Sequence, residues 1–151
     1  MQEGLFWFLY AYIQRMGKIP LKYKIEIRVL PQHLDELRHV NNVVYFEFLQ
    51  QVAIEHWYGK APVEVAEKIR WVVRKHEIEY LKPAFEGDLL QVITWVDEFT
   101  QVSSRRYYEI YRGKELLVKA STLWIALDAE SMKPVRIPIS VAESFFESDQ
   151  A

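Results

Sequence analysis

A carboxylate, a histidine and two asparagines lie close together in LDELRHVNNVVYFEFLQQ, residues 34–51, directly before a strongly apolar stretch. The carboxylate of Asp35 is suited either to take a proton from water or to act as a nucleophile itself. Backbone N–H groups at the start of a helix carry partial positive charge, so those of residues 41–43 can hold an oxygen on which negative charge develops. The stretch therefore combines a base or nucleophile with an oxyanion-binding site.

The same residue types also have ordinary structural roles. Asparagine is among the best helix N-caps, so either Asn41 or Asn42 can begin the helix as a plain cap, with a substrate contact as an addition. We interpret His39 as a residue that positions the site rather than one that transfers a proton. Tyr45 falls one turn inside the helix, where we expect it to line the core or a pocket.

The elements that hold these residues follow from hydrophobic periodicity. Residues 22–30 alternate apolar and charged side chains, which is typical of a strand with one buried face. Residues 42–57 are apolar over most of the helix surface, which predicts a long helix wrapped by other structure. Residues 69–128 predict four strands that we expect to form a meander, and residues 140–147 predict a short terminal helix. One antiparallel sheet curled around the long helix, an α+β arrangement of five strands, buries it most simply.

Composition narrows the class of protein. A chain of 151 residues with 50% hydrophobic residues suits one compact domain, and a net charge of -2 disfavours binding to nucleic acid. With no cysteine the chain has no disulfide, thiolate metal site or cysteine nucleophile, which fits a cytoplasmic protein. The four histidines have no paired metal-ligand spacing, and the motifs of serine hydrolases and nucleotide-binding enzymes are absent. We therefore expect neither a metal nor a cofactor.

The first fifteen residues predict an extension outside the fold. Residues 5–13 are apolar throughout, but they are far fewer than the roughly 20 needed to span a bilayer. Gln2 and Glu3 stand where a signal peptide carries basic residues. We therefore expect one domain at residues 16–151.

Taken in order, these residues resemble the hotdog-fold thioesterases, in the acyl-CoA thioesterase branch related to 4-hydroxybenzoyl-CoA thioesterase. The likeness covers about residues 20–138. It is carried by the pattern D-x-x-x-H-V-N-N-x-x-Y from Asp35 to Tyr45, the P-x-x-x-G-D turn from Pro83 to Asp88, Arg106, and ASTLW at residues 120–124.

The resemblance implies hydrolysis of an acyl-CoA thioester to a free acid and CoA, by a homodimer or homotetramer whose site lies between subunits. It also implies two sets of site residues. The catalytic set is Asp35, His39 and Asn41. The substrate-binding set is Asn42, Val43, Tyr45, Arg38 and Arg106, and its two arginines are candidates for contact with the CoA phosphates.

Two positions depart from the family pattern. Arg38 replaces the usual glycine before the histidine, which removes backbone freedom and adds a cation beside the site. Gln50 stands where the family commonly has a glutamate. The alternatives are an acyl-carrier-protein thioesterase, a non-catalytic acyl-CoA-binding or regulatory hotdog protein, and a hydratase or dehydratase on the same fold. The presence of Asp35 favours the thioesterase.

Overall fold

The computed structural model describes residues 18–148, and the predicted extension at residues 1–15 lies outside them. Five strands form one antiparallel sheet against which a 19-residue helix packs. The elements are β1 (Tyr23–Arg28), a 3-10 turn (Pro31–His33), α1 (Asn42–Lys60), α2 (Val63–Ala66), β2 (Ile69–Tyr80), β3 (Leu89–Phe99), β4 (Ser103–Arg112), β5 (Glu115–Asp128) and α3 (Ile139–Glu143). The predicted hotdog arrangement is confirmed, with element bounds within a few residues of those predicted.

The order of the strands differs from the predicted meander. The sheet runs β1-β3-β4-β5-β2, so β2 pairs with β5 at the far edge and β3 pairs with β1. The prediction that β2 and β3 are neighbours was therefore wrong. The cause is the connection at residues 81–88, which does not turn back along β2. It leads from β2, at one edge of the sheet, to β3, which lies next to the opposite edge strand β1.

That connection closes the sheet over the start of α1. At one end the N–H of Leu81 donates to the carbonyl of Leu117 at 2.8 Å, and at the other the N–H of Val29 donates to the carbonyl of Asp88 at 2.9 Å. Between them the carbonyl of Ala84 accepts from Val40 at 2.9 Å. Residues 81–88 can connect these two points because an extended chain covers roughly 3.3 Å per residue.

The helix buries one face against the sheet and leaves another exposed. Its buried residues are Tyr45, Phe48, Leu49, Val52, Ala53, His56 and Trp57. On the opposite side Val43, Ile54 and Tyr58 are exposed apolar residues. The sequence therefore appears apolar all round the helix because the uncovered face also carries apolar side chains. Among residues 18–148 no helix combines the length and apolar character needed to cross a membrane.

Alternation along β4 decides which of its residues meet the helix. Ser104, Arg106, Tyr108 and Ile110 are buried, whereas the residues between them are only partly buried. Successive side chains of a strand point to opposite faces, so these four share the inner face. Arg106 thereby enters the interior among apolar neighbours.

Candidate active site

The candidate catalytic loop is a miniature hairpin closed at the foot of α1. At its base the N–H of Asn41 donates to the carbonyl of His33 at 2.9 Å. One step further Leu34 and Val40 form an antiparallel bridge, and the N–H of Asp35 donates to the carbonyl of His39 at 2.8 Å. The loop therefore holds Asp35 and His39 opposite each other, close before the start of the helix.

The carboxylate of Asp35 is oriented by its own loop. Its Oδ1 accepts from the N–H of Leu37 at 2.9 Å and from the N–H of His39 at 3.1 Å. Asp35 is half-buried, so its carboxylate is fixed by backbone donors without being sealed from solvent. Among the described residues no side-chain donor contacts Oδ2, which leaves that oxygen available for water or a substrate carbon.

Arg38 stands where the family usually has glycine, and it adopts the left-handed backbone conformation that glycine adopts readily. Its φ is +61°, in the left-handed region. The N–H of Arg38 donates to the carbonyl of Asp35 at 3.0 Å, which completes the turn. The side chain is 81% exposed and lies 3.5 Å from Glu86. The arginine therefore preserves the glycine-type turn, and its exposed cation lies beside Glu86.

His39 lies against the connection that crosses the sheet. It forms an antiparallel bridge with Phe85, and the two rings meet edge to face with their centroids 5.2 Å apart. The turn containing Phe85 is itself fixed by Asp88, whose Oδ2 accepts from the N–H of Phe85 at 2.9 Å and from Arg112 at 2.7 Å. Gly87 has φ of +84°, which explains the glycine of the P-x-x-x-G-D turn. Ring packing and backbone pairing with Phe85 thus hold the imidazole of His39 in place within the catalytic loop.

The start of α1 resolves which asparagine caps the helix. Oδ1 of Asn41 accepts from the N–H of Val43 at 3.1 Å, so Asn41 is the N-cap. The N–H groups of Asn41 and Val43 are both occupied, the former by His33. Within residues 18–148 the N–H of Asn42 has no acceptor. Of the three amides predicted for an oxyanion site, the one at Asn42 is free to bind a ligand.

Two tyrosines lie just below this free amide. Tyr45 is buried, its ring centroid is 5.5 Å from that of Tyr80, and burial raises the pKa of its hydroxyl. The hydroxyl of Tyr80, on β2, donates to the carbonyl of Asn42 at 3.1 Å. Tyr45 lies buried one turn inside the helix, as expected, and its part in substrate binding stays a prediction.

Gln50, which stands where the family commonly has a glutamate, is exposed, and so is Glu47, the nearest glutamate one turn earlier on the helix. Gln50 lines the mouth of a cavity of about 290 Å³ beside the second half of α1. Glu47 does not line it. The polar group that the family pattern places on the helix is therefore an amide in this chain.

Arg106 lies at the inner wall of the same cavity. It is 5% exposed, and its Nη1 contacts Nδ1 of His56 at 2.9 Å and Oγ1 of Thr94 at 3.1 Å. Burial lowers its pKa to about 10, so it remains charged at neutral pH. A buried guanidinium does not suit contact with CoA phosphates at the surface. The part of Arg106 in substrate binding stays a prediction, and it applies to a ligand inside the cavity.

His56 is the neutral partner of this arginine. Burial, with the charge of Arg106, lowers its pKa from 6.5 to about 3. Nδ1 then accepts from Arg106, which leaves the proton on Nε2. The ring is stacked on Tyr23 with centroids 5.3 Å apart and meets Phe145 edge to face at 4.8 Å.

The sequence analysis did not single out His56 or Thr94. The signal for His56 was its spacing, because it falls three and seven residues after the buried Ala53 and Leu49 on one helix face. The signal for Thr94 was strand alternation with Val92 and Val96, both buried. Polar residues on otherwise apolar faces are therefore the signal from which this buried cluster could have been predicted.

One antiparallel sheet around a single helix, with a carboxylate loop at the foot of that helix, defines a thioesterase of the hotdog class. The model of the Thioesterase-like superfamily matches residues 29–145. The acyl-CoA thioester hydrolase YbgC of Escherichia coli O6:H1 is 28% identical over 108 residues, which cover 71% of this chain and 81% of that protein. The long-chain acyl-CoA thioesterase FadM of Escherichia coli K12 is 29% identical over 119 residues, which cover 74% and 88%.

Solved structures agree with the sequence relatives. A probable thioesterase from Bartonella henselae superposes with a TM-score of 0.70 at 25% identity, over 78% of this chain and 100% of that chain. A probable thioesterase from Escherichia coli, YbaW, superposes with a TM-score of 0.71 over 84% of this chain. The chain belongs to the Thioesterase-like superfamily, and its class of reaction is thioester hydrolysis.

Proposed function

We propose that this chain hydrolyses acyl-CoA thioesters, with Asp35 as general base or nucleophile and the N–H of Asn42 as an oxyanion donor. The observation that carries the proposal is the pairing of an oriented carboxylate with a free helix-start amide. Two backbone N–H groups hold Oδ1 of Asp35, and one amide at the foot of α1 has no acceptor within residues 18–148. The substrates of the named relatives, acyl-CoA thioesters, are the second support.

As a general base, Asp35 takes a proton from a water molecule while the water oxygen attacks the thioester carbonyl carbon. The carbonyl oxygen becomes negative and accepts from Asn42, whose amide also has the favourable dipole of α1 behind it. When the carbonyl reforms, the C–S bond breaks and CoA leaves as a thiolate that takes up the proton. The products are a free acid and CoA.

As a nucleophile, the carboxylate oxygen of Asp35 attacks the same carbon directly. CoA leaves and a mixed anhydride joins the acyl group to Asp35, which water then hydrolyses to regenerate the carboxylate. Both routes need the same oriented oxygen and the same oxyanion donor. If water attacks the Asp35 carbonyl carbon of the anhydride, oxygen from labelled water enters the enzyme carboxylate in a single turnover. Label in the enzyme would therefore establish the nucleophilic route, because the general-base route places the label only in the free acid.

His39 and Asn41 act in this proposal by positioning. His39 supplies the backbone N–H that orients Asp35, and Asn41 caps α1 and so leaves its first amide facing the site. Arg38 is exposed near the loop and is the candidate for contact with a CoA phosphate.

We also propose a homo-oligomer, because β2 forms an open edge of the sheet. Within residues 18–148 no strand pairs with its outer side, although it is 12 residues long. Val72 and Val73 on this strand and Ile54 on α1 are exposed apolar residues. A long edge strand with exposed apolar side chains favours pairing with a second copy. The cytoplasmic location stays a prediction.

The first test measures thiol release with a thiol-reactive dye from short, long and aromatic acyl-CoAs and from an acyl carrier protein. The chain has no cysteine, so all coloured thiol comes from the substrate. Asp35→Asn retains an Oδ1 acceptor for the two loop N–H groups, so we expect a folded protein with kcat reduced at least about 100-fold.

The matched control is Glu36→Gln, which removes an exposed carboxylate from the next residue. We expect this variant to keep wild-type turnover. Equal turnover by wild type and Asp35→Asn would refute the role of Asp35. Hydrolysis confined to the carrier-protein substrate would replace CoA as the proposed leaving group.

A further inference from the structure

The cavity beside the second half of α1 has an apolar wall and a charged floor. Its volume is about 290 Å³, and three tryptophans and a phenylalanine line it, namely Trp57, Trp71, Trp124 and Phe145. Gln50, Ile54 and Tyr58, exposed residues of one helix face, form its mouth. Arg106 is the buried cation of the inner wall, and the exposed Arg70 is a second cation in the lining. Such a shape fits an apolar molecule that carries one polar group.

Arg106 presents an unused hydrogen-bonding edge. Its Nη1 contacts His56 and Thr94, and no described residue accepts from Nε or Nη2. Nε and Nη2 form the side of the guanidinium that binds both oxygens of a carboxylate. No described carboxylate lies within ion-pair distance of this buried cation. Charged side chains are rarely buried unless paired, which implies an anion that arrives with a ligand.

Trp71 also lines this cavity. The indole N–H of Trp71 is buried and has no hydrogen-bond partner within residues 18–148. Trp71 meets Trp57 edge to face, with ring centroids 5.2 Å apart, so its ring is held in place. The arginine and the indole are both donors only, so the missing group is an acceptor.

We propose that this cavity binds the carboxylate at the end of an apolar chain, with both oxygens on Nε and Nη2 of Arg106 and the chain against the tryptophans. A carboxylate matches the planar fork of the guanidinium, whereas a neutral hydroxyl leaves the buried charge uncompensated. The proposal concerns binding by the cavity and stands whether or not the catalytic loop acts as proposed above.

The position of the cavity gives this carboxylate two sources. Ala53 follows Asn42 by eleven residues, so the cavity lies about 16 Å along the helix from the free amide. If the proposed function holds, a long acyl chain whose thioester lies at Asp35 can reach it with a terminal carboxylate. The other source is a free fatty acid, the product class of the reaction, bound by its only carboxylate.

The binding test compares decanoate, decanedioate and 1-decanol by the fluorescence of the tryptophans that line the cavity. In wild type we expect both acids to bind at least about tenfold more tightly than the alcohol, since a paired buried charge is worth at least that factor. This comparison needs no variant. We then expect Arg106→Met to lose the preference for acids and Arg105→Met to keep it.

Arg105 is the matched control because it is the next residue of β4, lies on the other face of the strand and is 42% exposed in its side chain. Circular dichroism checks that each variant is folded. Arg106→Lys is the second variant, which keeps the charge but loses the fork, and we expect intermediate affinity for the acids.

A kinetic arm separates the two sources by comparing hexadecanoyl-CoA with the CoA monoester of hexadecanedioic acid, whose extended chain is long enough to cover the roughly 16 Å from the free amide to the cavity. If the substrate supplies the carboxylate, the monoester has a kcat/KM at least about tenfold higher, and Arg106→Met removes the difference. If a free fatty acid supplies it, the two esters are hydrolysed alike and decanoate inhibits wild type but not Arg106→Met.

Equal affinity of wild type for decanoate and 1-decanol would overturn the proposal. So would decanoate binding by Arg106→Met as tight as that of wild type. If no ester releases thiol while the acids still bind through Arg106, the proposed function fails and the binding site stands.

Discussion

At the scale of single residues, His56 and Arg106 place two ionisable groups 2.9 Å apart inside the sheet, and only the arginine is charged. The pKa of His56 is lowered from 6.5 to about 3 by burial and by this neighbour. The unfolded chain therefore binds one more proton than the folded chain between these two pH values. Stability contributed by the neutral histidine is complete above about pH 6.5 and decreases as the pH falls towards 3.

This coupling predicts that His56→Asn flattens the acid side of the stability profile. Asparagine places an acceptor near the position of Nδ1 but does not titrate. We expect the wild-type free energy of unfolding to lose about 1.4 kcal/mol more per pH unit below pH 6.5 than that of the variant. Urea titrations between pH 7.5 and pH 4.5 measure the two slopes, and parallel slopes would contradict the prediction.

Residue types and local pattern predicted much of this site, but not the choice between close neighbours. The resemblance marked Arg106 for substrate binding. Its parity with the buried Ile110 is the pattern that assigns it to the inner face of β4, whereas Arg105 shares the parity of the charged Glu109. The sequence could not show that no carboxylate of residues 18–148 lies beside Arg106, because the neighbours of Arg106 come from different elements of the fold. The capping role of Asn41 likewise needed the backbone geometry at the helix start.

At the scale of elements, the catalytic loop depends on one residue in an unfavourable backbone conformation. Arg38 has φ of +61° and Met132 has φ of +58°, in a turn after β5. Left-handed backbone costs a non-glycine residue about 1 kcal/mol, and a glycine variant avoids this cost. The larger entropy of the variant's unfolded chain offsets part of the gain. We predict that Arg38→Gly is as stable as wild type or up to about 1 kcal/mol more stable. Because Arg38 is the proposed contact for a CoA phosphate, we expect a higher KM for acyl-CoA with kcat unchanged.

Met132→Gly is the matched control for this prediction, because it changes the same backbone angle without a catalytic loop. Thermal unfolding of both variants and thiol release by both measure the effect. Similar stability changes would assign them to the backbone. A higher KM in Arg38→Gly alone would support the CoA contact of the arginine side chain, and an unchanged KM would contradict it. A stability loss of more than 1 kcal/mol in Arg38→Gly would contradict the backbone explanation.

The strands themselves were predictable, and their order was not. β3 and β5 begin and end where alternation and turn residues predicted, because those signals lie within each strand. The pairing of β2 with β5 arises from closure of the sheet around α1, which brings its edges within reach of residues 81–88. A short connection therefore joined two strands that are not neighbours.

At the scale of the whole molecule, the open edge of β2 predicts a dimer of this chain. Val72 is an exposed apolar residue on that edge strand. In a symmetric pair each copy contributes the same residue, so Val72→Glu places like charges on both sides of one interface. We expect the variant to raise the dissociation constant of the dimer at least about tenfold, equivalent to about 1.4 kcal/mol.

Sedimentation over a dilution series measures this constant, and thiol release at the same concentrations measures turnover per chain. If the site needs both copies, turnover falls with dilution in step with the dimer fraction, and it falls at higher concentration in Val72→Glu than in wild type. Ile19→Glu is the control, since Ile19 is an exposed apolar residue before β1, the strand at the opposite edge. A monomer that keeps full turnover would show that each chain carries a complete site, because dilution would then separate the copies without removing any catalytic group.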